Sequence, residues 1–405
     1  MRKRLATLSV FVLMGALAPR VGTSLEPEAV GQVATLPPVG DHWVWVPDRV
    51  LEHSVLFDGD DGSVLAALAS PGALTPKLPL FARSRGEFYS VDVDYARGTR
   101  GKRTDYVTIY DAESLQVVGE VVLPHPTSAS NTSLHHATLL DGDRFLVVFS
   151  QFPETVATVV DLEARSVRAA VPIAGCAGLY AVGAQRFATL CGDGTTLSVT
   201  LSPDGTASGT ARSPRFFDVI EDPVSMAGVR LGAKWLFVSF AGQVHAIDYA
   251  DATPAPADPW PLASAGERST GWRPGGLQPF ALHRSTQRLF VLMHQGEPGT
   301  HKDAGAEIWT FDVAEQARVG QIEVPNLAVD FLGPLLELEG FGLSLLGWVV
   351  PNPGAHSLAV SQDAEPLLFT RNGELGAVAV LDATTGEHLR SVGELGISGP
   401  TLGVP

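Results

Sequence analysis

The chain has 405 residues and a net charge of −16, with 18% charged residues, 42 Gly and 29 Pro. Abundant turn formers and few charged side chains favour many short strands over solvated helices. The acidity argues against nucleic acid and against an anionic membrane, since both demand Lys and Arg; solubility is its simplest cause.

The amino terminus reads as an export leader. Arg2-Lys3-Arg4 forms a basic start, residues 5–17 are mostly apolar, and Ala16-Leu17-Ala18 is a small-residue cleavage pattern. Thirteen such residues are too short to span a bilayer, and no other run reaches the ~18 apolar residues of a membrane helix. Residues 1–18 are therefore expected to be removed, which leaves a segment over 19–44 and one domain over 45–405.

That domain is organised by a recurring hairpin. Its clearest copy is Val107-Thr108-Ile109-Tyr110-Asp111, a polar turn, and a second apolar run from Gln116 to Leu123. Alternating β-branched residues make the strand, and the Asp suits the first turn position because its carboxylate accepts a backbone N–H two residues on. The same mark ends at Asp58, Asp161, Asp248, Asp312 and Asp382, with a weaker copy at Ser202. The first four intervals between the seven marks lie near the ~40–50 residues of a four-stranded propeller repeat. Earlier strands are visible before several marks, over residues 87–93, 145–149, 235–240 and 288–293. The fold implied is all-β, a seven-bladed β-propeller.

Two cysteines, Cys176 and Cys191, flank a turn-like Val182-Gly183-Ala184-Gln185. A hairpin over this span can bring them within bonding distance, and an exported chain meets an oxidising compartment. The alternative is two buried thiols packing as small hydrophobes.

Catalytic chemistry is not evident. There is no Gly-x-Ser-x-Gly elbow. The adjacent His135 and His136 would point to opposite faces of a strand and suit an ordinary strand-end pair better than a metal site. Asp58-Gly59-Asp60-Asp61-Gly62 is too short for a calcium loop and reads as a hairpin turn. No metal is expected. Trp235 and Trp309 fall inside strands, as packing residues.

Several blocks resemble the large (heavy) subunit of the tryptophan tryptophylquinone-dependent amine dehydrogenases, the methylamine dehydrogenase group in particular. They are residues 100–107 with Arg103-Thr104-Asp105-Tyr106-Val107, then Gly271-Trp272-Arg273-Pro274-Gly275-Gly276, then His301-Lys302, then Val360-Ser361-Gln362-Asp363 with the Asp382 turn. They occur in this order from about residue 45 to the end of the sequence. The resemblance implies a periplasmic propeller with its own disulfide and no redox group. A small cysteine-rich partner would carry the quinone, and two copies of each chain would assemble. The complex would oxidise a primary amine to an aldehyde and ammonia, then pass electrons to a periplasmic cupredoxin. With only two cysteines, this chain does not match the small subunit.

Candidate residues follow. Trp272 and Arg273, placed in a loop, suit either a partner interface or loop packing. Arg103, Asp105 and Tyr106, placed just before a third strand, suit an interface or an Arg–Asp tie between strands. His301 and Lys302 suit partner carboxylates or a solvated loop. The resemblance also implies an aromatic at the mouth of an amine channel near residues 47–53, where Val50 and His53 are the nearest positions. One departure is an apolar insert of about 331–354, read as an added loop or hairpin. The competing functions are a stand-alone exported propeller that binds a protein or ligand, and a hydrolytic propeller with carboxylates in its funnel.

Overall fold

The computed structural model describes residues 35–69, 77–128, 134–336, 341–396, 398–399 and 401–405. The leader expected at 1–18 and most of the 19–44 segment lie outside the described residues.

Seven antiparallel sheets follow one another along the chain. The first contains Trp43–Asp48, His53–Asp58 and Val64–Ala69; the second contains Leu80–Ala82, Glu87–Tyr95, Arg103–Asp111 and Val117–Val122. The third and fourth begin at Ala137–Leu139 and Cys176–Gly183, the fifth at Val229–Leu231. In the sixth, Trp272–Pro274 and Phe280–His283 both pair with Arg288–Gln295. The seventh runs from Ser357–Val360 to His388–Val392.

These sheets are the blades of a β-propeller because their middle strands bury both faces, while the outer strands stay largely exposed. Period-2 alternation sends successive side chains to opposite blades. Trp43 and Trp45 enter the core shared with blade 2, whereas Val44 and Val46 enter the core shared with blade 7. Phe88 and Tyr89 divide in the same way between the first-to-second and second-to-third junctions. Seven apolar clusters result, each between one blade and the next, and together they close the ring. Near-continuous apolar runs such as Phe145–Ser150 follow directly from burial on two sides.

The first blade takes its inner strand from the other end of the sequence. Gly403 bridges Trp45, with N–H···O distances of 2.8 and 3.0 Å. Buried Gln278 donates to the Leu358 and Leu402 carbonyls and accepts from the Leu402 N–H at 2.9 Å, which holds this segment on the axis. Fully buried Arg371 donates to the Pro47 carbonyl at 2.9 Å and so joins blade 7 to blade 1.

The seven hairpin marks all stand where the third strand of a blade turns into the fourth. The Asp111 carboxylate accepts from the Ser114 N–H and hydroxyl at 2.8 and 2.7 Å. Asp382 takes the Thr384 and Thr385 N–H groups, both at 2.7 Å, and Asp161 and Asp312 repeat the pattern. At the weak mark, Asp204 replaces Ser202 as the main acceptor, from the Thr206 N–H and hydroxyl. Antiparallel pairing places these turns, and those joining first to second strands, on one face of the ring. The loops joining second to third strands and the connections between blades occupy the other, here called the crossover face.

The insert, expected as an added loop or hairpin, is a hairpin of two helices. After a short capped helix α1 (Ala265–Ser269), the chain forms α2 (Leu327–Leu335) and α3 (Phe341–Val349). The stretch is rich in Leu and lacks the β-branched alternation of a strand, which suits helix despite its Gly and Pro residues. Its base is clamped by Asn326 to the Val350 carbonyl at 3.0 Å and by Asn352 to the Val324 carbonyl. The flanking blades are intact, as the ordered motifs on either side require. His135 and His136 lie in a single 3-10 turn ahead of a strand, not on its end. Burial lowers the His135 pKa to about 4, which keeps the ring neutral against Tyr180.

Candidate partner-docking face

Every site residue expected from sequence maps to the crossover side of the ring. Val50 lies in the loop between Trp43–Asp48 and His53–Asp58, and His53 opens the latter strand. Arg103, Asp105 and Tyr106 lie inside the third strand of blade 2, which starts earlier than sequence alone suggested. Trp272 and Arg273 form the short strand Trp272–Pro274 rather than a loop, paired with the crossover end of Arg288–Gln295. His301 and Lys302 occupy the loop between the second and third strands of blade 6. Cys176 and Cys191 face each other at the crossover end of blade 4 and are joined by a disulfide. Side by side in two strands, they are brought into bonding reach by the hairpin between them.

The chemistry of these residues differs from one to the next. Arg103 grips Asp105 with two bonds of 2.7 Å and donates its third to the Thr127 carbonyl at 2.6 Å. Asp105 accepts the Thr127 N–H and hydroxyl, and buried Lys77 donates to that same hydroxyl at 2.8 Å. Burial lowers the Lys77 pKa to about 8 against the opposing pull of Asp105 and Asp92. The Arg–Asp pair is thus committed to an internal tie, which links its strand to the connection beyond blade 2. The Tyr106 hydroxyl donates to Asp94 at 2.7 Å. Burial first and that bond second raise its pKa, so the phenol stays protonated.

Trp272 packs 5.0 Å from Trp309, leaving its ring half-buried. The His301 ring stacks on Phe240 at 3.6 Å, nearly parallel, and ties the crossover loops of blades 5 and 6. Burial, then neighbouring Lys302, lowers the His301 pKa. Its buried Nδ1 has no hydrogen-bond partner, whereas Lys302 is exposed. Asp48 accepts the N–H groups of Val50 and Leu51 at 2.7 and 2.9 Å, which fixes the loop that presents Val50.

The distribution of exposed apolar side chains gives the site its character. Val50 and Leu51 in blade 1, Phe152 in blade 3 (68% exposed), Ile220 before blade 5 (79%) and Leu277, between the two inner strands of blade 6, all stand on the crossover face. Leu336, Trp348 (84%) and Val349 of the helical hairpin extend from the same side. The remaining large exposed apolar residues sit on outer strands, such as Val117, Val122 and Val319. Among the described residues, none lies in a turn of the opposite face. Sequence reading missed Leu51, Phe152, Ile220 and Leu277. The available signal was a bulky apolar residue inside a stretch otherwise made of turn formers, as in Ser150-Gln151-Phe152-Pro153. Exposed apolar side chains gathered on one side of a fold mark an interaction surface. No group of His, Cys, Asp and Glu suited to a metal ion occurs among the described residues, and no helix is long and apolar enough to cross a membrane.

Solved structures with this fold include a functionally unknown protein from Desulfotomaculum acetoxidans, with a TM-score of 0.58 over 90% of this chain and 98% of that one. At 11% identity it speaks for the fold alone. Sequence relatives are more specific. The methylamine dehydrogenase heavy chain of Paracoccus versutus is 26% identical, over 86% of this chain and 74% of that protein. The heavy chain from Methylorubrum extorquens is 27% identical, over 86% and 77%. The family model for the methylamine dehydrogenase heavy chain matches residues 46–330. The match ends inside α2, at the hairpin that interrupts the last two blades. With seven blades, one disulfide and an apolar crossover face in place, the chain belongs to the methylamine dehydrogenase heavy-chain family.

Proposed function

We propose that this chain is the large, non-catalytic subunit of an exported amine dehydrogenase, which oxidises a primary amine to an aldehyde and ammonia in the periplasm. A small cysteine-rich light chain would dock on the crossover face, with two copies of each chain in the assembly. A tryptophan tryptophylquinone made from the light chain's own residues would supply the electron sink, and a periplasmic cupredoxin would take the electrons onward. Cofactors carry such redox chemistry, while the protein binds, orients and excludes water.

The concentration of exposed apolar residues on the crossover face, in a member of a heavy-chain family, carries this reading. The seven interblade cores make a rigid platform beneath it. Asp48 holds Val50 and its loop in place beside His53, at the position expected to wall the amine channel. Trp272 and Arg273 supply an aromatic and a cation, the residue types that dominate binding at interface centres. Exposed Lys302 beside the stacked His301 suits light-chain carboxylates.

A permanent interface of this kind buries upwards of ~2,000 Å², so the two chains should elute together in gel filtration. Co-expression of both chains with their maturation proteins, followed by dye-linked amine oxidation, tests the proposal. Activity is expected from the assembled pair and none from the large chain alone. Turnover by the isolated large chain, or its failure to retain a light chain, would overturn the proposal.

A further inference from the structure

The described residues leave a space along the axis of the ring. Inner strands of blades 2, 3, 6 and 7 surround a cavity of about 510 Å³, bounded on one side by residues 402–405. A second space of about 370 Å³ lies across that segment and shares Arg284 and Gln362 with the first. Leu139, Phe280, Leu282, Leu358 and Val360 supply apolar wall. The volume suits a small organic ligand.

The mouth of this cavity is cationic. Arg284 and Gln362 stand in the turns between first and second strands of blades 6 and 7, on the face away from the crossover loops. Gln362 donates to the Leu282 and Val360 carbonyls, and its oxygen accepts the Arg284 N–H and Nε at 3.1 and 2.9 Å. That oxygen fixes the guanidinium at the rim. Arg230, also at the mouth, is neutralised by two bonds to Asp141, of 2.6 and 2.8 Å. Arg284 has no carboxylate within ion-pair distance among the described residues, and burial, then neighbouring Arg230, lowers its pKa. In a chain of net charge −16, an oriented guanidinium with no ion-pair partner among the described residues, at the rim of an apolar cavity, is a specific arrangement.

We propose that the axial cavity binds a small amphipathic carboxylate. The carboxylate accepts from the two Nη groups of Arg284, the bidentate geometry that guanidinium favours. The apolar body extends inward along Leu358 and Phe280. Gln362 is a positioning residue, acting through Arg284. The mouth and the docking face lie at opposite ends of the ring, so this site operates whether or not a light chain is bound, and its test is independent of the function proposed above.

Calorimetric titration of the purified chain with octanoate, acetate, 1-octanol and octylamine tests the site. Octanoate should saturate one site per chain, with acetate, octanol and octylamine weaker by about tenfold or more, as loss of either the charged bond or the buried chain requires. Arg284→Gln should cost octanoate about tenfold or more, and Arg284→Lys, which keeps the charge but loses the fork, should fall between. Thermal melts without ligand establish that both variants are folded. Equal affinity for acetate and octanoate would reduce the site to a surface ion pair and overturn the proposal. Unchanged octanoate affinity in folded Arg284→Gln, or no saturable binding to the parent chain, would overturn it as well.

Discussion

The two faces of the ring are built from the ends of the same strands, yet they have opposite chemistry. On the turn face, short connections close on themselves, and Asp111, Asp161, Asp312 and Asp382 spend their carboxylates on backbone N–H groups two or three residues ahead. On the crossover face, the chain must return from the outer edge of one blade to the axis of the next. Those long connections hold Ile220 and the α2–α3 hairpin, and the neighbouring loops within blades 3 and 6 hold Phe152 and Leu277, with apolar surface left open. Repetition conserves the end where neighbouring strands are joined directly, because turn geometry there is set locally. The other end is free to vary in length and composition, and binding surfaces are built on such loops.

The largest expected effect separates the faces by partner binding. Phe152→Asp combined with Ile220→Asp should weaken light-chain retention by more than tenfold, since a central apolar anchor is worth about 2 kcal/mol or more. The melting temperature of the large chain alone should be unchanged, as both side chains are exposed. Paired substitutions on the turn face, at Glu163 and Glu315, should leave retention intact; equal losses from both faces would erase the distinction.

Next in size is the disulfide at the crossover end of blade 4. Cys176→Ser with Cys191→Ser releases a loop of 15 residues, which costs about 3 kcal/mol in the chain-entropy model. Urea unfolding should show a lower midpoint with little change in slope. A midpoint equal to that of the parent chain would mean that interblade packing alone holds this hairpin.

A turn-face carboxylate should matter less. Asp111→Ala removes the acceptor for Ser114 and should cost about 1 kcal/mol. The Ser114 bonds, backbone then side chain, lower the Asp111 pKa, so its contribution is present above the unfolded value of 3.8 and is lost as pH falls through the folded value. Parent and variant should therefore converge in stability in acid, which denaturant titration at two pH values would reveal.

The smallest effect is a pH dependence at ring closure. His42 lies between Asp60 of blade 1, at 2.7 Å, and Asp363 of blade 7, at 3.2 Å. Burial lowers its pKa, but the two carboxylates outweigh burial and raise it above the ordinary 6.5. A raised folded pKa means that this contribution is fully present below 6.5 and is lost as pH rises through the folded value. His42→Asn should remove a small decline in melting temperature over that window. An identical decline in the variant would place its origin elsewhere.

The sequence by itself determined the strands, the seven hairpin turns, the blade count and the hairpin that joins the cysteines. Each depends on residues near one another in the chain, where β-branched alternation and Asp-led turns act directly. It also carried the ordered blocks that resemble the heavy-chain family. Only the tertiary structure decided that Arg103 and Asp105 are committed to Thr127 and that Trp272 pairs with the end of a later strand. The same holds for Gly403, which completes the first blade from the far end of the sequence, and for the convergence of Arg284 and Gln362 at the axial mouth. These pairings join residues distant in sequence, and periodicity within a strand carries no information about which blade will meet its face. Closure of the ring supplies that information, because seven blades must bury both faces of every sheet at once.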